Sequence, residues 1–312
     1  MKKQSIFALA MAVSFAVTSW AVESAFAGQI VAWGNNTYGQ CNVPSGNDFV
    51  AIAGGGLHSL SLKSDGSMVA WGNNTYDQCS APSGNDFVAI AGGRYHSLAL
   101  KSDGSLVAWG SNQYSQCDVP AGNNFTAIVC GGYHSLALKS DGSLVAWGNN
   151  SYGQGSVPSG KNFASIEAGF RHSRALRSDG SAIVWGHNKY QRSVPPTNNF
   201  AATAHNGLHS LALRLDGSLV AWGWNEYRQC DVPAGNNFTA VACGGYHSLA
   251  LKSNGSLAAG GSNNQRQFDV PAGKDFVAIV RSWGWKRGIG LVCEPYTLLL
   301  LGLCAVMLYR KR

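Results

Sequence analysis

Charged residues are scarce in this chain of 312 residues, because Asp, Glu, Lys and Arg together make up only 12% of it. The stretch between its two ends also lacks the periodicity of an amphipathic helix. With 45% hydrophobic residues, so low a charge content argues against a disordered chain. Glycine is abundant instead, with 39 copies, which indicates many tight turns between short strands.

The sequence also lacks the short motifs of common catalytic and nucleotide-binding sites. It contains no HExxH, CxxC or GxSxG, no P-loop, and no GxGxxG in the context of a strand. We therefore predict no catalytic residue, no metal site and no cofactor.

The first 27 residues have the layout of a secretory signal. Lys2 and Lys3 form a positive head, residues 6–22 are mostly apolar, and Ala25-Phe26-Ala27 is an A-x-A cleavage pattern. We predict a signal peptide over residues 1–27, with an uncleaved N-terminal anchor as the alternative.

Internal repetition dominates the rest of the chain. Trp, His and Phe recur with a period of 37 to 38 residues, the Trp at positions 33, 71, 109, 147, 185 and 222. Within a unit, FVAIA, HSLALKS and SLVAW are typical of short strands, and Asp103-Gly104 favours a tight hairpin between the last two. A fourth, edge strand is expected around Gln-Cys-x-Val-Pro.

Four short strands per unit, repeated about seven times, predict an all-β chain folded as a seven-bladed β-propeller over residues 28–292. The repeat region begins with the second half of a unit, at residues 29–44, and ends with the first half of another, at 276–292. We expect these two halves to share one blade and close the ring, with an open solenoid as the alternative.

The unit AGGxxHSLALKSDGSLVAWGxNxYxQ resembles the repeats of the regulator of chromosome condensation superfamily, which implies a seven-bladed propeller. Its short period and Val-Pro ending are most similar to the β-lactamase inhibitory protein II type, a secreted form of the fold that binds an enzyme. The resemblance covers roughly residues 29 to 290. It indicates fold more strongly than function, because one propeller carries many unrelated activities.

The positions that differ between units are the candidate binding site. Since six units carry the same His and five the same Asp, we interpret those residues as architecture. The two positions before each His vary, and one such loop per blade forms a ring on one face. By resemblance to the inhibitory protein, the predicted partner-binding residues are Arg94, Tyr95, Tyr133, Phe170, Arg171 and Tyr246. The alternative is that they only cover the blade rims.

Two further sets of residues stand out. Glu167, Arg174 and His205 belong to a group of charged residues in the fourth and fifth units, which is either a recognition patch or neutral drift on a solvated surface. Cys117 and Cys130 occupy the same two positions of their unit as Cys230 and Cys243 do of theirs, which predicts disulfides Cys117–Cys130 and Cys230–Cys243 in an oxidising compartment. The alternative is that each pair lies too far apart, beyond the ~7 Å between Cα atoms that a disulfide allows.

The last 20 residues, 293–312, combine Glu294-Pro295, a short apolar stretch, and the basic end Arg310, Lys311 and Arg312. This layout resembles the PEP-CTERM sorting signal of Gram-negative bacteria, which is read by an exosortase-like protease, although Cys293 replaces the first Pro. The uncharged stretch 296–309 would span about 21 Å as a helix, against about 30 Å of membrane hydrocarbon. The resemblance implies transient anchoring in the inner membrane, and a plain C-terminal anchor is the alternative.

Removal of both ends takes five basic and two acidic residues from totals of 23 and 16, so the body carries a net charge of only +4. That charge is too small to indicate a nucleic-acid ligand. We expect an exported, non-catalytic binding module at the cell surface or outside the cell. Its partner would be a protein, such as a secreted hydrolase that it inhibits, or an extracellular polysaccharide. The alternative is a propeller lyase or hydrolase with its site at the axial mouth, and signal peptidase would process the chain in either case.

Overall fold

The computed structural model describes residues 29–187, 199–205, 208–262, 276–281 and 287–292, and every regular element in these ranges is a strand. The predicted signal peptide at 1–27 and the sorting residues Glu294, Pro295, Arg310, Lys311 and Arg312 lie outside the described residues. In the part of the chain that is described, no helix is long and apolar enough to cross a membrane.

The strands in the described ranges form seven three-stranded antiparallel sheets. Strands that open a sheet are β2 (Phe49–Gly54), β5 (Phe87–Gly92), β8 (Phe125–Cys130), β11 (Phe163–Ala168), β14 (Phe200–His205), β17 (Phe238–Cys243) and β20 (Phe276–Arg281). Central strands are β3 (His58–Lys63), β6 (His96–Lys101), β9 (His134–Lys139), β12 (His172–Arg177), β15 (His209–Arg214), β18 (His247–Lys252) and β21 (Arg287–Val292). Outer strands are β1 (Gln29–Gly34), β4 (Met68–Gly72), β7 (Leu106–Gly110), β10 (Leu144–Gly148), β13 (Ala182–Gly186), β16 (Leu219–Gly223) and β19 (Leu257–Gly261).

Successive sheets pack side by side as blades around an axis. The opening strand of each sheet contacts the opening strand of the next, and β20 contacts both β17 and β2. We number the blades 1 to 6 from β2–β4 to β17–β19, and call the sheet of β20, β21 and β1 the terminal sheet. This arrangement is that of a β-propeller, so the prediction of an all-β propeller is confirmed.

The terminal sheet joins the two ends of the described chain. Strand β1 pairs with β21 in antiparallel register, from Gln29 opposite Val292 to Gly34 opposite Arg287. On its other edge, β21 pairs with β20. The sheet therefore takes its outer strand from the beginning of the chain and its other two strands from the end.

Wherever the segment after an outer strand is described, the expectation of a fourth strand is wrong. The segment after each outer strand is irregular in the described blades, because side chains bind its backbone groups in place of a strand ladder. In blade 2, Gln116 Oε1 accepts a hydrogen bond from the Tyr114 amide at 2.8 Å, and Asn112 Oδ1 accepts one from the Cys117 amide at 2.8 Å. The segment is a stapled loop rather than an edge strand.

The central strands of blades 1 to 6 are buried on both faces, since each of these blades lies between two neighbouring sheets. In β6, for example, His96 to Leu100 are all buried, and only Lys101 at the end of the strand is partly exposed. The core therefore consists of separate apolar layers between blades, such as the layer in which Leu98 of blade 2 meets Phe125 and Ile128 of blade 3.

The repeated histidines connect neighbouring blades. Nε2 of His96 lies 3.1 Å from Oγ of Ser135 in the next blade, and that hydroxyl donates to the Gln116 carbonyl at 3.1 Å. The Trp147 indole N–H donates to the same carbonyl at 2.9 Å. Equivalent His–Ser contacts recur at His58, His134 and His209. The interpretation of these histidines as architectural is confirmed, and burial lowers the pKa of His96 to about 3.

Candidate functional site

In the blades whose loops are described, two loops lie at the same end of the propeller. In an antiparallel sheet the opening and outer strands run in the same direction, so the loops that follow them leave at one end. A backbone hydrogen bond joins the two loops, as from Ser111 to the Tyr95 carbonyl and from Asn149 to the Tyr133 carbonyl, both at 2.8 Å. We call this end the loop face. The Asp-Gly turns, which connect central to outer strands, occupy the opposite end.

Aromatic rings from successive blades contact one another across the loop face. The ring of Tyr95 lies 5.0 Å from that of Tyr76 and 6.3 Å from that of Tyr133. Tyr133 in turn lies 5.2 Å from Tyr114 and 5.6 Å from Phe170. These five rings, from blades 1 to 4, form a continuous surface that we call the aromatic strip.

Two arginines are held against the aromatic strip. The Arg94 guanidinium lies 4.8 Å from the ring centroid of Tyr95, 5.5 Å from that of Tyr133 and 5.3 Å from that of Phe170. Its Nη1 also donates a hydrogen bond of 2.6 Å to the Tyr133 hydroxyl. Arg171 is exposed. Its guanidinium lies 5.6 Å from the ring centroid of Phe170 and 4.7 Å from that of Tyr152. Such cation–π contacts restrict both side chains.

The absence of a side chain at Gly132 shapes the strip. A Cβ at Gly132 would lie 2.7 Å from the Phe170 carbonyl oxygen and 2.8 Å from its ring, far closer than packed atoms allow. Phe170 of blade 4 therefore occupies the space above blade 3. In that position it comes within reach of Arg94, which belongs to blade 2.

Five of the six predicted binding residues are brought together, and the sixth is not. Arg94, Tyr95, Tyr133, Phe170 and Arg171 form one group, as described above. Tyr246 makes its aromatic contacts in blades 5 and 6, where its ring lies 5.5 Å from that of Trp224 and 5.2 Å from that of Tyr227. The loop face therefore carries two aromatic groups. Whether either of them binds a partner stays a prediction.

Sequence reasoning missed the second row of tyrosines on the loop face. Tyr76, Tyr114, Tyr152 and Tyr227 lie in the stapled loops, and each is at least 40% exposed. A signal was present, because these tyrosines follow the repeated Trp by five residues in unit after unit. Repetition had been interpreted as architecture, whereas at this position it presents an exposed ring.

The stapled loops hold these tyrosines in fixed places. Gln116 is fully buried and anchors the loop of Tyr114 through its side chain and its carbonyl oxygen. Ser115, between them, has a φ of 60°, a left-handed conformation that lets the loop turn back. The exposed ring of Tyr114 thus sits on a rigid support, which limits the entropy lost when a partner binds.

Burial also affects the ionisation of the site. It raises the pKa of the Tyr133 and Tyr246 hydroxyls above that of a free tyrosine, and at Tyr133 the nearby Arg94 only partly opposes this effect. Both phenols are therefore protonated at neutral pH. They act as neutral hydrogen-bonding groups beside the cationic arginines.

Some of the charged residues of blades 4 and 5 are buried inside the molecule. For these residues the alternative of neutral drift on a solvated surface is wrong. Glu167 and Arg174 face each other across β11 and β12 and are 3% and 0% exposed. Glu167 accepts a hydrogen bond of 2.5 Å from the Thr203 hydroxyl, and its other oxygen lies 3.5 Å from Nδ1 of His205. In the other described blades, Ala or Val takes the place of Glu167 and Leu that of Arg174. We call Glu167, Arg174, Thr203 and His205 the buried polar cluster.

The two predicted disulfides are not present in the structure, where all four residues are thiols. Cys117 Sγ lies 3.4 Å from the Ser111 carbonyl of its own loop, whereas Cys130 Sγ lies 3.5 Å from the Ala91 carbonyl of the preceding blade. Cys230 and Cys243 have equivalent, separate acceptors. The sulfurs of each pair are directed to different neighbours. Burial raises the pKa of Cys117 and Cys230 to about 11, so neither is a reactive thiolate at neutral pH.

Among the residues that the structure describes, no group of three or more His, Cys, Asp or Glu side chains is arranged to hold a metal ion. Fold and site together define a β-propeller that presents a rigid aromatic and cationic surface at one end.

Comparison with protein families identifies the repeat. The regulator of chromosome condensation (RCC1) repeat matches residues 49–78, 87–116, 125–154, 206–229 and 238–267. Five units of the chain are therefore similar to the RCC1 repeat. None of the curated proteins compared with the chain matches it.

Solved structures share this fold at low sequence identity. Prp20p from Saccharomyces cerevisiae is 18% identical, with a TM-score of 0.71 over 87% of this chain and 94% of that one. Human WBSCR16 is 17% identical, with a TM-score of 0.68 over 86% and 100% of the two chains. The ectodomain of the Arabidopsis thaliana receptor kinase ACR4 is 22% identical, with a TM-score of 0.62 over 75% and 90%. These similarities establish an RCC1-like propeller.

Proposed function

We propose that the chain is a non-catalytic module that binds a protein partner through the aromatic strip and its two arginines. The observation that carries this proposal is the fixed position of Arg94, stacked against three rings and hydrogen-bonded to Tyr133. Tyr and Arg are the residues most often found at the energetic centres of protein interfaces. Rings that are already fixed lose little entropy on binding.

The ring geometry favours a protein over a polysaccharide. Sugar rings stack on open, flat aromatic faces, and a chain of sugars needs several such faces in one plane. Here Tyr95 and Tyr133 are inclined by 50°, and Tyr133 and Phe170 by 70°, so ring edges pack against ring faces. Arg94 also covers part of three rings. Such a surface is uneven and suits the irregular side chains of a protein.

The structural neighbours support a protein partner in general terms. The published description of Prp20p gives binding to Gsp1p and histones, and a second structure has yeast RCC1 bound to Kap60. RCC1-like propellers are commonly binding or regulatory modules. A nuclear role does not suit the weakly charged body of this chain.

We further propose that the propeller is a closed ring of seven blades and that it is exported. The pairing of β1 with β21 supports closure, since it leaves neither end of the described chain as an open edge. Residues 1–27 would be the signal peptide and 293–312 a PEP-CTERM-like address, so that the propeller reaches the surface or exterior of a Gram-negative cell. The most specific version of this proposal is that the chain inhibits a secreted hydrolase, as the β-lactamase inhibitory protein II type does.

Site-specific photo-cross-linking in the protein's own cells tests the binding proposal. A photoreactive phenylalanine analogue replaces Tyr114, which is 46% exposed on the loop face, or Leu215, which is 62% exposed at the opposite end. We expect a discrete, protease-sensitive adduct from position 114 and none from 215, and loss of that adduct when Arg94→Gln is added. Equal adducts from both positions would contradict a specific face. A glycosidase-sensitive smear from position 114 would favour a polysaccharide instead.

A further inference from the structure

Arg94 and Arg171 come from different blades but share one aromatic neighbour. Their guanidinium carbons lie 5.3 and 5.6 Å from the centroid of Phe170. Blade 3 lies between them. At the position that Arg94 occupies in blade 2, blade 3 has Gly132, which gives Phe170 room to reach Arg94. Three departures from the repeat, two arginines and one phenylalanine, therefore meet at one place on the loop face.

No carboxylate in the described part of the chain forms an ion pair with either arginine. Several charges at the opposite end are paired, since Lys63 lies 3.0 Å from Asp48 and Lys161 lies 2.9 Å from Asp141. By sequence, the segments 188–198 and 206–207, which lie outside the described residues, contain neither Asp nor Glu. Asp77, beside Tyr76 on the loop face, contacts the Ser80 hydroxyl at 3.4 Å. Two positive charges thus remain without a counter-ion among the residues that the structure describes.

The geometry also leaves hydrogen-bonding capacity at the arginines. A guanidinium has five N–H donors, and Arg94 uses one nitrogen for the Tyr133 hydroxyl. The remaining donors form the planar fork that binds a carboxylate through two parallel hydrogen bonds. The surrounding rings exclude water on one side, which strengthens such a bond relative to one in bulk solvent.

We propose that the Arg94–Arg171 pair receives the carboxylate of an Asp or Glu side chain of the partner protein, with Phe170 packing against the stem of that side chain. This inference rests on the proposed function, because it assigns the chemistry of the partner at the same face. Charge complementarity of this kind fixes the orientation of a complex and accelerates its formation.

Panning a random 12-residue peptide library on the immobilised full-length protein tests the inference. The selected peptides are sequenced, synthesised and titrated against the wild type and four variants: Arg94→Gln, Arg171→Gln, Tyr114→Ala and, as the matched control at the opposite end, Arg214→Gln. We expect enrichment of Asp or Glu among the selected peptides. Each loop-face arginine variant should weaken binding by about tenfold or more, whereas Arg214→Gln should not change it.

A second measurement separates charge pairing from loss of fold. Changing the acidic residue of the peptide to its amide should reproduce the loss seen with Arg94→Gln, and combining the two changes should add little, because both remove one interaction. Raising the salt concentration should weaken wild-type binding more than binding to Arg94→Gln. Unchanged melting temperatures of the variants would exclude unfolding as the cause.

The remaining outcomes distinguish the two proposals. Peptides that lose affinity with Tyr114→Ala but not with either loop-face arginine variant would overturn the carboxylate site and leave the proposed function standing. Peptides insensitive to all three loop-face variants, or no selected peptide at all, would overturn both. Arginine-dependent binding of polygalacturonate but not of dextran, without any selected peptide, would assign the carboxylate to a sugar acid and refute a protein source.

Discussion

Replacing Glu167 by alanine is expected to destabilise the propeller severely, although alanine occupies the same place in four other blades. The reason is Arg174, directly opposite in the neighbouring strand and 0% exposed. Burial lowers the pKa of its guanidinium, and the Glu167 carboxylate counteracts that effect. Without the carboxylate, a buried cation would lack its compensating charge, which costs about 3–5 kcal/mol. The Thr203 hydroxyl would also lose its acceptor.

The double variant Glu167→Ala/Arg174→Leu separates the missing charge from the missing side chain. It restores the pair found at Ala91 and Leu98 of blade 2. Since replacing a buried ion pair by apolar residues is often neutral or stabilising, it should recover most of the stability that the single variant loses. Val129→Ala, at the equivalent position of blade 3, is the control and should cost only about 1 kcal/mol.

Urea unfolding, followed by circular dichroism, measures these differences through the midpoint of the transition. A Glu167→Ala protein within about 1 kcal/mol of the wild type would refute the compensating role of Glu167. So would a double variant less stable than the single one, because removal of the uncompensated cation would then have gained nothing.

Three further predictions concern the blade contacts and the strip. Burial lowers the pKa of both His96 and His209 to about 3 from 6.5, so between these values the unfolded chain binds two more protons than the folded one. The free energy of unfolding should therefore keep the full contribution of these two histidines above pH 6.5. Below that pH it should fall by up to about 2.7 kcal/mol per pH unit, as measured by urea titrations at several pH values. Ser135→Ala removes the hydroxyl that contacts His96 and should cost about 1–3 kcal/mol in the same assay. Gly132→Ala should displace Phe170 from above blade 3, which a crystal structure would show, and weaken any ligand of the strip.

Each of these predictions has a contradicting result. A flat stability profile from pH 7 to 4 would mean that the two histidines are protonated in the folded state. A Ser135→Ala protein as stable as the wild type would mean that the contact between these blades contributes nothing. An unmoved Phe170 in Gly132→Ala would show that the loop has room for a methyl group after all.

The strand pairs could be predicted from the sequence because their signals are local. Alternation in HSLALKS and the Asp103-Gly104 turn specify a hairpin, and β6 and β7 pair as expected, with Leu98 opposite Ala108. The fourth strand could not be rejected in the same way. Its residues have strand propensity. The hydrogen bonds that the side-chain oxygens of buried Gln116 and of Asn112 accept from backbone amides, in place of a ladder, form only when the loop is folded.

The candidate site was predictable in part. Variation at the two positions before each His identified Arg94, Tyr95 and Tyr133, and these side chains do meet. The repeated, exposed tyrosines such as Tyr114 were missed, since repetition alone cannot distinguish a packed ring from a presented one. The disulfides were predicted from spacing, which does not reveal that Cys117 and Cys130 are directed to different backbone carbonyls.

By itself, the sequence determined the period, the hairpins and the propeller class, because each depends on contacts between residues close together in one repeat. Only the tertiary structure decided which residues of different repeats meet. It placed Phe170 over Gly132 beside Arg94, two blades away, and it enclosed Glu167 with Arg174 between blades 4 and 5. The physical reason is that a ring of blades brings together side chains that lie far apart in the sequence, such as Glu167 and Thr203 at a separation of 36 residues, where local pattern carries no information about contact.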